Sequence, residues 1–227
     1  MRKDTTHFLA TTLVLVATFF LGPFAKASSL GSMLISLAWL GATSASVEWG
    51  DARPRSKIIA RWLAAVAVAL ELASLLRGHL VMSSVQSACS LALLVLAVIS
   101  LFRHLVRARR VTTEQILASI TLMLLLGVLF GVAYAVLDLL PLEPQAFNGL
   151  TTPEGAPGGM SNPRASELLY FSYVTLTTLG YGDVTPLHPL ARAVASLEAL
   201  TGQFYIAVLV ARLVALHIMH SKVSADG

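Results

Sequence analysis

The chain has 227 residues, 56% of them apolar and only 12% charged, with a mean hydropathy of +0.76. A soluble domain carries about twice that share of charge, so the composition excludes an ordinary soluble enzyme and points to a membrane. The net charge of +4 is modest and calls for no nucleic-acid partner, and the lone Cys89 excludes an intrachain disulfide.

Six apolar stretches reach or approach the roughly 20 helical residues that cross a bilayer. They are Phe8–Phe24, Leu30–Glu48, Ile58–Leu76, Leu80–Phe102, Gln115–Leu139 and Leu190–Leu216. The first, with Arg2-Lys3 before it and Ala25-Lys26-Ala27 after it, also has the make-up of a cleavable signal peptide. Asp4 and the length of the run favour a span. Glu48, Asp51 and Glu71, in or near the second and third stretches, are predicted to be interfacial or paired with Arg61 or Arg77. In the fourth, Ser83, Ser84, Ser87 and Ser90 favour tight helix packing, and Cys89 reads as a packing residue. No Lys or Arg lies between Leu80 and Leu101. A voltage sensor needs several arginines there, because each charge contributes only about 2.3 kcal/mol per 100 mV. Steep voltage gating is therefore not expected. Arg103, Arg107 and Arg110 follow the stretch and are predicted to form one face of a linker helix resting on anionic lipid.

In the fifth stretch Gly127 and Gly131 stand four residues apart, a spacing that lets helices approach closely in lipid. The segment Asp138–Ala165 is rich in Pro and Gly and is predicted to be a mobile, solvated turret. Its Asp138, Glu143 and Glu154 are read either as drawing cations toward it or, in the simpler reading, as solvated loop residues. Ser166 reads as an N-cap, with Glu167 just inside a short helix that ends near Thr177. The C-terminal end of such a helix carries partial negative charge and favours a cation. Next comes the string Thr175-Leu176-Thr177-Thr178-Leu179-Gly180-Tyr181-Gly182-Asp183. Gly180 and Gly182 admit positive φ, which a backbone needs if successive carbonyls are to face one axis.

Pro186, His188 and Pro189 return the chain to the last stretch. His188 is either a proton or metal sensor or a solvated loop residue. Glu198 and Gln203 are polar residues at membrane depth. Glu198 is expected to contact the short helix or the back of the loop. His217 and His220 form an i,i+3 pair, readable as metal ligands or as a solvated helix end. About a dozen residues follow Leu216, too few for a further regulatory domain. The sequence has no phosphate loop, zinc spacing or Ser/His/Asp arrangement, so neither an enzyme nor a cofactor is expected.

The basic residues divide unevenly. Arg2, Lys3, Arg53, Arg55, Lys57, Arg61, Arg103, Arg107, Arg109, Arg110, Arg212 and Lys222 fall on one side, and Lys26, Arg77, Arg164 and Arg192 on the other. The positive-inside rule makes the first side cytoplasmic, with both termini, and puts the glycine-rich loop near the outer face.

At Thr178-Leu179-Gly180-Tyr181-Gly182-Asp183 the sequence resembles the tetrameric potassium channel family, with Leu179 where the commonest form has Val. The resemblance is specific over Ser166–Leu216 and architectural before that. It implies an all-α membrane protein with six transmembrane helices per subunit, a re-entrant pore helix and a selectivity filter, as in voltage-gated channels. Residues 1–112 would be a four-helix bundle like a degenerate voltage sensor, 113–219 the pore domain and 220–227 a short cytoplasmic tail. Carbonyls of Thr178, Leu179, Gly180 and Tyr181, with the Thr178 hydroxyl, would replace the water shell of K⁺, and Gly182 would complete the filter. Tyr181 would pack behind the filter, Tyr170 and Phe171 would brace it, and Thr175 and Asp183 would support it. A Tyr170–Asp183 hydrogen bond is implied, and Val174 stands where some relatives carry Glu. Gly202 would be a gating hinge or a close-packing residue, and Ala207 and Ala211 would sit at the inner constriction. With one filter per chain, a homotetramer in lipid would close the ring, with K⁺ as the permeant ion and no soluble ligand. The bacterial inner membrane is the implied location. Two alternatives stay open: a weakly selective cation channel, against which Tyr181 speaks, and a non-conducting sensor or assembly subunit that keeps the fold.

Overall fold

The computed structural model describes residues 3–25, 29–49, 54–77, 80–107, 112–151 and 163–225. Seven helices are described: α1 Lys3–Ala25, α2 Ser29–Trp49, α3 Pro54–Arg77, α4 Leu80–Arg107, α5 Thr113–Asp138, α6 Pro163–Leu176 and α7 Pro189–Ala225. Each predicted apolar stretch lies in one of α1–α5 or α7, with Leu139 closing α5 as its C-cap. Helix starts follow local chemistry. α3, α6 and α7 open on Pro54, Pro163 and Pro189, where the ring presets φ and the missing N–H is no loss. α5 opens behind Thr112, whose hydroxyl accepts from the Gln115 amide at 3.4 Å.

α4 differs from expectation. No Gly or Pro interrupts Leu80–Arg107, so among the described residues Arg103 and Arg107 belong to the spanning helix itself, with no break before them. Both arginines are exposed on its last turns, and Arg110 lies outside the described residues. On α4 the inner face of Leu93, Leu94, Ala97 and Leu101 is buried, while Val95, Ile99, Phe102 and Val106 are exposed. A helix apolar on both faces suits burial in lipid rather than water. Among the described residues Ala88–Arg107 and Glu114–Asp138 are long and apolar enough to cross a membrane.

α1 packs on α2, and α3 on α4; α1 and α4 both lie against α5 of the same chain. The buried hydroxyls of Thr12 on α1 and Thr121 on α5 meet at 2.7 Å. Arg61 donates to Glu48 (2.9 Å from Nη2) and Lys57 donates to the Glu48 carbonyl (2.7 Å), joining α3 to α2. Asp51 and the side chains of Glu71, Arg77, Ser83, Ser84 and Ser87 lie outside the described residues.

The turret expectation is corrected over much of its length. Phe147 is buried, and its ring meets Tyr134 (5.4 Å) and Phe171 (5.5 Å) edge-on. The strand β1 (Phe147–Asn148) pairs antiparallel with β2 (Thr185–Pro186), Phe147 opposite Pro186. The Leu187 amide donates to the Ala146 carbonyl at 2.9 Å. One large aromatic side chain outweighs the polar character of the segment around it. Asp138 does not stand free to draw cations, because Arg164 pairs with it in a largely buried ion pair (2.9 Å from Nη2). Glu143 is exposed; residues 152–162, with Glu154, lie outside the described residues.

Candidate functional site

α6 begins at Pro163, three residues before the expected Ser166 cap. Nothing between Pro163 and Ser166 breaks a helix, so the earlier start signal prevails. Glu167 accepts instead from the Thr151 amide at 2.9 Å and from the Thr151 hydroxyl, fastening the turret to α6. α6 sits in a groove on α5: a Cβ at Gly127 would lie 2.4 Å from the Tyr173 ring, and one at Gly131 would lie 2.9 Å from Leu169. Tyr173 donates to the Leu124 carbonyl at 2.7 Å.

The C-terminal carbonyls of α6 have no helical partners left, and the following loop supplies them. Thr177 N donates to Tyr173 O (3.0 Å) and Thr178 N to Thr175 O (2.9 Å). Leu179 N and Gly180 N both donate to Val174 O, at 2.9 and 3.3 Å. The loop amides therefore turn toward α6. Thr178 (φ 57), Gly180 (φ 59) and Gly182 (φ 79) are left-handed, so every second residue has positive φ. A non-glycine residue such as Thr178 pays about 1–2 kcal/mol for that conformation. Among the described residues, no donor reaches the carbonyl oxygens of Thr178 to Gly182. The result is an exposed row of acceptors at the end of a helix.

Both ends of this row are held. At one end Tyr170 donates to Asp183 Oδ2 at 2.8 Å, while Val184 N donates to Oδ1 at 3.0 Å. At the other, Gln203 Nε2 on α7 donates to Thr178 Oγ1 at 3.0 Å. A Cβ on Gly202 would lie 1.9 Å from the Leu176 carbonyl, so α7 passes directly beneath the end of α6. One helical turn earlier Glu198 is fully buried. Its Oε2 meets the Tyr134 hydroxyl and its Oε1 the Ser172 hydroxyl, both at 2.5 Å.

A protein-family model described as an ion channel matches residues 122–217. Over these residues the chain is similar to the ion channel family. No curated protein and no solved structure matches the chain.

The matched region contains the short helix, the acceptor row and most of the two long helices that flank them. Several side chains depart from expectation. Phe171 packs on Tyr134 (5.0 Å) and Phe147 in a buried cluster that also takes in Val184. One step along a helix turns a side chain by about 100°, so Tyr170 and Phe171 cannot both face Asp183. Tyr181 is 67% exposed, so it does not make within this chain the packing expected of it, and the Leu179 side chain beside it is exposed too. Thr175 contributes its carbonyl to the turn, and Val174 is buried. The His188 ring Nδ1 accepts from Leu190 N at 3.2 Å, at the start of α7. Ala207 and Ala211 are exposed in the single chain, and the side chains of His217 and His220 lie outside the described residues. Sequence reading missed Tyr134, Ser172 and Phe147. A lone Tyr within the apolar α5 was the available signal for the first.

Proposed function

We propose that the chain is one subunit of a homotetrameric, potassium-selective channel that passes K⁺ down its electrochemical gradient. The observation that carries this reading is the alternation of backbone handedness at Thr178, Gly180 and Gly182, with the loop amides tied back to α6. Alternating handedness lets consecutive carbonyls face one side. A bare K⁺ needs such a column of oxygens in place of its water. The ligands are the carbonyls of Thr178, Leu179, Gly180 and Tyr181 and the Thr178 hydroxyl, with Gly182 finishing the filter.

Six helices, α1–α5 and α7, cross the membrane, and α6 enters and leaves from the outer side. The biased distribution of Lys and Arg supports cytoplasmic termini, and the inner membrane of a bacterial cell is the proposed location. Four chains supply four rows. The exposed apolar side chains Leu179 and Tyr181 of the row and Leu197, Leu200 and Phe204 of α7 support this, since neighbouring subunits would cover them.

The test is cation flux from liposomes that contain only this protein. Wild type is expected to release K⁺ far faster than Na⁺, and Gly180→Asp is expected to abolish the release, because its side chain enters the row and its φ is unfavourable. Equal K⁺ and Na⁺ flux would make the protein a weakly selective cation channel. Flux unchanged in Gly180→Asp would place the pathway elsewhere.

A further inference from the structure

Glu198 is completely buried within a single chain, so no partner subunit is needed to cover it. Three helices converge on it. Tyr134 and Gly127 come from α5, Ser172 from α6, and Glu198 itself belongs to α7. Their oxygens form a series: Tyr134 Oη to Glu198 Oε2 at 2.5 Å, Glu198 Oε1 to Ser172 Oγ at 2.5 Å, and Ser172 Oγ to Gly127 O at 2.7 Å. Each contact needs one proton. A carbonyl oxygen has none to give, so the single Ser172 proton must point at Gly127 O. The contact between Ser172 Oγ and Glu198 Oε1 then has no proton unless Glu198 supplies it. The Tyr134 proton is committed to Oε2. An ionised Glu198 would leave three contacts with two protons, and one pair of oxygens would face each other lone pair to lone pair.

The surroundings agree with the count. The titratable groups nearest Glu198 are Tyr134 on α5 and Tyr173 on α6, the latter engaged with Leu124 O. Among the described residues no Lys, Arg or His forms an ion pair with it. A carboxylate buried without a cation partner is among the costliest states a side chain can adopt.

We infer that Glu198 carries its proton in the folded channel and acts as a neutral positioning residue, passing hydrogen bonds from Tyr134 through Ser172 to Gly127. This chain fixes α6 against α5 and α7. The amides of Thr177 to Gly180 all donate to carbonyls of α6, so the placement of the acceptor row depends on it. The meaning for conduction rests on the potassium-pore reading above, but the test reads no flux and fails separately from it.

The test uses the full chain in lipid bilayers and infrared difference spectra of wild type against Glu198→Gln, from mildly acidic to mildly alkaline pH. A protonated carboxylic acid has a carbonyl stretch apart from the carboxylate bands and sensitive to deuteration. That band is expected in wild type throughout the range and is expected to vanish in Glu198→Gln. A glutamine amide accepts from Tyr134 and donates to Ser172, as a neutral glutamic acid does. Glu198→Gln is therefore expected to keep the wild-type melting temperature, while Glu198→Ala melts lower. The inference is overturned if the substitution removes carboxylate bands instead of the acid band. It is equally overturned if Glu198→Gln fails to assemble or melts as low as Glu198→Ala.

Discussion

Asp183 sits at the outer end of the acceptor row, and its ionisation is tuned by its neighbours. The Tyr170 hydroxyl, and after it the Val184 amide, hold its carboxyl below the usual carboxylate range. A depressed carboxyl contributes its stabilisation above the unfolded value, about 3.9, and loses it as pH falls through the lower folded value. The Tyr170–Asp183 bond is therefore complete at neutral pH and survives mild acid. In Tyr170→Phe the main cause is gone, and Asp183 is expected to titrate nearer to about 3.9. Carboxyl NMR measures this directly, and an unmoved midpoint would contradict the assignment. The bond was legible in the sequence because the motif fixes both residues relative to the two glycines. The bond from Gln203 to Thr178 was not. Gln203 is conspicuous as a polar residue in an apolar helix, but its partner lies 25 positions away and only the crossing of α7 under α6 brings them together.

Helices were readable wherever apolar length decides them, and α1–α5 and α7 follow the six apolar stretches. Their ends were less so, since both Pro163 and Ser166 are start signals and only the absence of a breaker between them favours the earlier one. The ordered part of the turret was hidden for another reason. Phe147 stands alone among Pro, Gly and polar residues, and a single aromatic has no period to read. Its ring nonetheless ties β1 to α5 and α6 through Tyr134 and Phe171. Phe147→Ala is expected to cost about 3–5 kcal/mol, the usual range for emptying a buried aromatic site. Thermal unfolding in detergent or lipid gives the check, and a loss under about 1 kcal/mol would mean that the turret is not anchored there.

Across the whole molecule, α1 and α4 rest on α5 of their own chain, with the Thr12–Thr121 contact buried between α1 and α5. A Thr12→Cys/Thr121→Cys pair in a Cys89→Ala background is therefore expected to form a disulfide within one chain. Denaturing gels would then show a monomer, whereas a ladder of linked subunits would mean that the bundle packs on a neighbour's α5. What the sequence withheld at this scale has a common origin. Tyr181, read as packing behind the filter, is exposed, because a single chain supplies only one side of the proposed ring. The central claim is that four such chains bind dehydrated K⁺ on the carbonyls of Thr178 to Tyr181. It is tested most directly by growing crystals in thallium, an electron-dense stand-in for K⁺, and locating it by anomalous scattering. The account predicts a row of peaks on a four-fold axis beside those carbonyls, lost when K⁺ is added in excess. Crystals with ordered loops but no peaks there, or peaks beside other residues, would contradict it.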